Sequence, residues 1–344
     1  MTNDTDHTGM LARARGALTG LAVGDALGMP TQSMSAEQIG QAYGGPIHGF
    51  LDAVDWQPIA PGMRAGSVTD DTEQALLLAR RLIEDGGELD VLAYAHDLLR
   101  WEDDMKAKGS FDLLGPSTKA ALVALGEGVS PELTGRTGTT NGGAMRAAPV
   151  GIAFAPGERL AAAAYRSCIV THNTVQGVDA TTLVAAAVSY GVGGANLADA
   201  VHRALVLTER RERSGCWSAK ASVLARTRMA VEWVESEGCR LDDAEFARWL
   251  REVVGTSVEA NESVPAAFAI ARRHAAEPFD ALCLAASVGG DTDTIAAMAG
   301  AMIGACLGPD AFGRERRELV ERVNGLGLDA LAARLVDLRT GAGR

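Results

Sequence analysis

An all-α fold is predicted by three features of this 344-residue chain. Hydrophobic residues make up 47% of it but aromatic residues only 5%, a balance that disfavours β-sheet, where aromatic and β-branched side chains are enriched. Ala, Gly and Leu dominate the apolar stretches, which suits closely packed helices. Those stretches are of helix length and end at Gly or Pro breakers. No repeat, linker or low-complexity segment divides the chain, so residues 9–340 read as one domain behind a flexible, polar tail at 1–8.

In chain order, residues 9–28 read as a helix with small residues on its packing face, stopped at Met29-Pro30. Gly and Pro breakers such as Gly44-Gly45-Pro46 make 29–66 mostly loop. A helix at 73–85 stops at Gly86-Gly87, and others follow at 89–102 and 115–126. A loop at 135–143, nearly all Gly and Thr, opens onto Ala144-Met145-Arg146. Helices are expected around 158–171, 177–193 and 196–208. The charge run Glu209 to Arg213 reads as a solvated helix end or surface insertion, not a binding patch. An amphipathic helix at 218–236 precedes the last set, at 243–253, 263–274, 279–286, 292–307 and 313–323.

A formal charge of −12 argues against a nucleic-acid partner, which would need a basic surface. The five cysteines are scattered and lack CxxC spacing, as expected of reduced thiols. Met1 to His7 contain no apolar signal segment, and Ile295 to Leu307 is too short and Gly-studded to span a bilayer. A cytoplasmic protein with neither membrane nor nucleic-acid partners is expected. Oligomeric state is not legible.

Two acidic clusters carry the chemistry: Ser67-Val68-Thr69-Asp70-Asp71-Thr72 and Gly289-Gly290-Asp291-Thr292-Asp293-Thr294. Either alone reads as an ordinary helix N-terminus, whose caps and dipole favour Thr and Asp. One cap needs only one oxygen, however, and adjacent carboxylates repel by about a kcal/mol or more. If the fold joins the two helix starts, four carboxylates and several hydroxyls converge. Such hard oxygen donors suit Mg²⁺, Mn²⁺ or Ca²⁺ rather than zinc.

Together with Val23-Gly24-Asp25-Ala26-Leu27-Gly28, Asn141-Gly142-Gly143-Ala144-Met145-Arg146 and Thr171-His172, these clusters resemble the ADP-ribosylglycohydrolase family, in order and over nearly the whole chain. The resemblance implies a single-domain orthogonal helical bundle with a two-Mg²⁺ cleft, Mn²⁺ being a possible substitute. It implies Thr69, Asp70, Asp71, Asp291, Asp293 and Thr294 as metal ligands, and diphosphate contacts at Gly142, Gly143, Ala144 and Met145. The glycines would let backbone N–H groups approach an anion, with Asn141 opening the segment; read alone, the segment is more simply a flexible turn. Arg146 would neutralise a phosphate or pair with an acid. His172 matches a residue lining the cleft near the ribose, and Asp25 reads as a structural acid.

Cleavage of a ribosyl bond passes through an oxocarbenium-like state and needs an activated water and a proton donor. Asp112, within Ser110-Phe111-Asp112-Leu113, matches a catalytic Asp of bacterial relatives, with Leu114 and Pro116 departing from their pattern. It ranks first for proton transfer; a metal-bound water held by Asp71 or Asp291 ranks second. Gln32 stands where many members carry Glu, and a neutral amide cannot act as a base. The expected activity is hydrolysis of ADP-ribose from a nitrogen or oxygen leaving group, on an ADP-ribosylated protein or a small ribosylated metabolite. An N-ribosyl nucleoside hydrolase and a non-catalytic ADP-ribose sensor are the alternatives.

Overall fold

The structure, a computed structural model, describes residues 2–107 and 114–341. Helices make up 70% of it, and among the described residues no strand forms. The elements that place the site are α1 (Thr2–Gly28), α2 (Ala36–Tyr43), α3 (Asp70–Glu84), α4 (Val91–Ala107), α5 (Gly142–Met145), α6 (Glu158–His172), α7 (Val175–Val192), α8 (Leu197–Arg210), α9 (Val223–Ser236), α10 (Ala260–Arg273), α11 (Thr292–Leu307) and α12 (Leu328–Thr340).

The centre is the pair α1 and α11. Small residues at four-residue spacing line the seam, because positions four apart share one helix face. A Cβ added to Gly16, Gly20 or Gly24 would lie 2.1, 2.0 or 2.1 Å from the carbonyl oxygens of Gly304, Gly300 and Ala296, respectively. Only backbones stripped of side chains approach so closely. The stripe ends at Gly28, where an added Cβ would sit 2.4 Å from Asp293 Cα. Packing thus runs straight into the second acidic cluster. Helix α7 packs beside this pair and is buried on nearly all faces, as expected for a helix apolar all round.

Several boundaries differ from expectation. The tail at 1–8 is helical from Thr2, since no Gly or Pro precedes Gly9 to stop the helix. The 29–66 segment holds α2, started by a capping box in which Ser35 Oγ accepts from Gln38 N and Gln38 Oε1 from Ser35 N. The helix expected from 218 begins at Val223, capped by Ser222. The helix expected at 243–253 stops being α-helical after Trp249 and passes into a π-turn over Leu250–Val254. Helix α12 was not anticipated; it packs on α1 and α3.

A candidate metal-binding active site at two helix starts

The first acidic cluster is held by a residue of another helix. Asp25, fully buried in the last turn of α1, accepts from Thr69 N (3.0 Å), Thr69 Oγ1 (2.7 Å), Thr72 N (3.0 Å) and Thr72 Oγ1 (2.5 Å). It therefore caps α3 from across the core, and Thr69 caps nothing with its own side chain. Burial pushes the Asp25 carboxyl up to about 6 against the pull of those four bonds. With the cap supplied from outside, the acids of α3 have no capping duty.

The second cluster is tied down by two loops. Gly290 has φ +82°, and an added Cβ would meet Thr256 O at 2.3 Å. Asp291 N donates to that same carbonyl (2.7 Å), while Ser33 N donates to Gly290 O (2.7 Å) and Gly290 N to Met34 O (2.9 Å). The Thr292 hydroxyl meets Thr31 Oγ1 (2.9 Å) and donates to Gly28 O (3.0 Å). The start of α11 is thus fixed to the end of α1 and to both loops.

The two starts meet at Asp71. Thr294 Oγ1 lies 3.3 Å from Asp71 Oδ2, across 223 residues of sequence, and Thr69 Oγ1 lies 3.3 Å from the same oxygen. Asp71 Oδ1 is buried with no hydrogen-bond partner. Burial first, then the charges of Asp293, Asp70, Asp25 and Asp291, hold the Asp71 carboxyl well above the usual carboxylate range. Asp291 is pushed up to about 6 by burial, opposed by bonds from Asn141 and Thr294. Asn141 Nδ2 donates to both Asp291 Oδ2 and Ser263 Oγ (2.9 Å).

Such an accumulation of buried negative charge is costly unless cations compensate it. Among the described residues no group of three or more His, Cys, Asp and Glu side chains is arranged as a ready cage for an ion. The donor set nevertheless fits hard divalent ions: every group is a carboxylate or a hydroxyl, and the buried Asp71 Oδ1 lacks a donor.

The remaining predicted residues fall differently. Helix α5 is a single turn in which Ala144 N and Met145 N donate to Asn141 O (2.7 and 3.0 Å). Two of the four amides expected to cradle an anion are thereby engaged within the turn. Gly142 and Gly143 are also demanded by packing, since added Cβ atoms would meet the His172 ring at 2.7 Å and Thr181 Oγ1 at 2.4 Å. Arg146 is fully buried and forms no ion pair with an acid among the described residues. Its guanidinium donates to Gln74 Oε1 (2.9 Å) and Thr171 Oγ1 (2.6 Å) and lies over the Tyr94 ring. Gln74 Nε2 in turn donates to Asp70 Oδ2 (2.7 Å), so Arg146 acts on the cluster through a neutral relay.

His172 is fully buried between two hydroxyls, Thr171 Oγ1 at Nδ1 (2.8 Å) and Thr140 Oγ1 at Nε2 (2.9 Å). Burial and then Arg146 lower its pKa to about 3, leaving a neutral ring held against Thr140, next to Asn141. Gln32 is 6% exposed, between Thr31 and Ser33 that both bond the second cluster, and its Nε2 has no partner. Asp112 lies outside the described residues. Sequence reasoning missed the positioning parts: Asp25 as cap, the Gln74 relay, and the Thr256 and Ser263 anchors. An Asp inside an apolar helix was the one available signal, because a buried carboxylate must find donors.

The family model described as ADP-ribosylglycohydrolase matches residues 6–344. The chain belongs to the ADP-ribosylglycohydrolase family. It is accordingly a glycosidic-bond hydrolase of a metal-dependent family that acts on ADP-ribose linkages. An uncharacterized Escherichia coli protein, YegU, is 31% identical over 336 residues, covering 95% of this chain and 97% of that protein. ADP-ribosylarginine hydrolase Tri1 of Pseudomonas putida is 28% identical, covering 87% and 71%. A solved structure titled ADP-ribosylglycohydrolase-related protein complex superposes with a TM-score of 0.69 at 24% identity, covering 96% of this chain and 99% of that one. This likeness supports the fold that the family predicts. No helix among the described residues is long and apolar enough to cross a membrane.

Proposed function

We propose that this enzyme is a cytoplasmic, Mg²⁺-dependent hydrolase that releases ADP-ribose from a nitrogen or oxygen leaving group on a modified protein or small metabolite. The observation that carries this reading is the meeting of the two helix starts at Asp71, through Thr294 and Thr69, with Asp71 Oδ1 unpartnered. Thr69, Asp70, Asp71, Asp291, Asp293 and Thr294 would hold two Mg²⁺, with Mn²⁺ an acceptable replacement. When bound, such ions supply an anchor for ribose hydroxyls and an activated water.

The chain's own groups do the rest. Asn141 orients Asp291 through its amide, and Gln74 orients Asp70. Gln32 offers an amide donor to the ribose or the departing group and takes no proton itself. Asp112 is the proposed proton-transfer residue, delivering a proton to the leaving atom as the anomeric bond breaks. Gly142 and Gly143 retain a role at the diphosphate.

A second reading, an N-ribosyl hydrolase that needs no diphosphate, is favoured by one observation: Arg146 is buried and committed to Gln74 and Thr171. Product release measured by chromatography, with Mg²⁺ or with EDTA, separates the two. The panel holds ADP-ribosyl-arginine, ADP-ribosyl-serine, O-acetyl-ADP-ribose and ribonucleosides. Metal-dependent release of ADP-ribose is the expected outcome, and free ribose from a nucleoside would transfer the assignment to the second reading. Binding of ADP-ribose without any turnover would overturn both and leave a sensor.

A further inference from the structure

A second cleft lies apart from the acidic site and shares none of its residues. It opens between the N-terminal half of α6 and the C-terminal half of α8, encloses about 750 Å³ and includes Tyr165, Tyr190, Arg210 and Arg213 in its lining. That volume falls within the range of about 300–1,000 Å³ typical of small-molecule sites. Val206 leaves an apolar wall 42% exposed there.

The arginines of this cleft are arranged unequally. Arg211 is spent on structure: it pairs with Asp179, both side chains being nearly buried, and donates to Glu212 O and Ser214 Oγ (2.9 Å each). A buried ion pair thereby pins the turn that carries Arg213. Arg210 and Arg213 form no ion pair among the described residues and are exposed. Arg203 covers one face of Tyr190, with Cζ 4.3 Å from the ring centroid. Glu158 and Glu212 also line the cleft, so a bare anion meets repulsion as well as attraction. The charge run that the sequence presents as a solvated helix end is here a wall of a cavity.

We propose that this cleft binds a planar heteroaromatic ring that carries a phosphate, a ligand of the mononucleotide class, at a site separate from the hydrolytic one. The tyrosines offer faces for the ring. Arg210 and Arg213 offer planar, multi-donor groups suited to phosphate oxygens. Because Glu158 and Glu212 oppose a free anion, ring and phosphate are needed together.

The test is calorimetric titration of the full-length protein in EDTA with AMP, adenosine and inorganic phosphate. AMP is expected to bind at least tenfold more tightly than either fragment. The exposed double variant Arg210→Glu/Arg213→Glu, and separately Tyr190→Ala, should each weaken AMP at least tenfold with an unchanged far-UV dichroism spectrum. Should Tyr190→Ala unfold, the arginine variant alone decides. Asp291→Asn should leave AMP binding unaltered, which separates this cleft from the acidic site. Absence of AMP binding, retention of it in the arginine variant, or its loss in Asp291→Asn would overturn the proposal.

Discussion

Asp71 shows at the level of one side chain what the site requires. One of its oxygens has two hydroxyls at 3.3 Å, the other has none, and four other carboxylates repel it. Replacing it by Asn removes charge at nearly constant volume. The Asp71→Asn protein in EDTA is expected to melt no lower than the parent, yet to lose Mg²⁺ binding by calorimetry and hydrolysis together. A drop in melting temperature with activity retained would contradict the metal role.

His172 makes a prediction of opposite kind. Its folded pKa of about 3 lies below its usual 6.5, so the unfolded chain binds more protons between those values and stability falls as pH drops through that window. The loss is on the order of a few kcal/mol by pH 4. In His172→Gln, which keeps a hydrogen-bonding side chain but cannot titrate, chemical denaturation between pH 7 and pH 4 should show a correspondingly shallower decline. At this scale the acids were legible from their spacing, since no cap needs two adjacent carboxylates. The roles of Arg146 and His172 were not, because burial and neutral partners are properties of the fold and leave no local mark.

Among the elements, the pair α1 and α11 is the most demanding. Adding a methyl at Gly300 would place it 2.0 Å from Gly20 O, which forces two backbones apart. Gly300→Ala is expected to cost about 2 kcal/mol or more in denaturant unfolding, while Gly40→Ala, on α2 with open space around it, should be nearly neutral. Equal stabilities would refute the close-packed seam. The helices themselves were readable where breakers bound them, as at Gly86-Gly87. Helix α2 was hidden because it is short and sits among glycines and prolines, and its capping box lies in Ser35 and Gln38, residues too common to weigh alone. The π-turn at Leu250–Val254 has no sequence signature in this chain.

For the molecule as a whole, closing the charge cluster is the main electrostatic problem of the native state. Mg²⁺ at a hundred times its dissociation constant should stabilise the protein by about 3 kcal/mol through binding to the folded form. The thermal midpoint is expected to rise with Mg²⁺ and to fall back with EDTA, and not to respond in Asp291→Ala. An unchanged midpoint in the parent would count against metal at this site. The all-α class was legible from composition because small, unbranched residues dominate the apolar stretches. Which helix starts meet was not, since that depends on pairings more than two hundred residues apart, such as Thr294 with Asp71.

One helix measures out the distance between the two acidic clusters. Asp25 pins α3 and, three residues on, Gly28 abuts Asp293 at the head of α11. The gap between the clusters is therefore gauged by less than one turn of α1, a rigid ruler to which Thr31, Ser33 and Met34 add their own anchors at the start of α11, and the connection beyond Met34 is a follower. Much of residues 35–65 can accordingly be exchanged to refit the leaving group while the spacing of the acids holds. A single residue inserted between Asp25 and Gly28 would rotate one mark about 100° against the other and part the clusters without touching any acid.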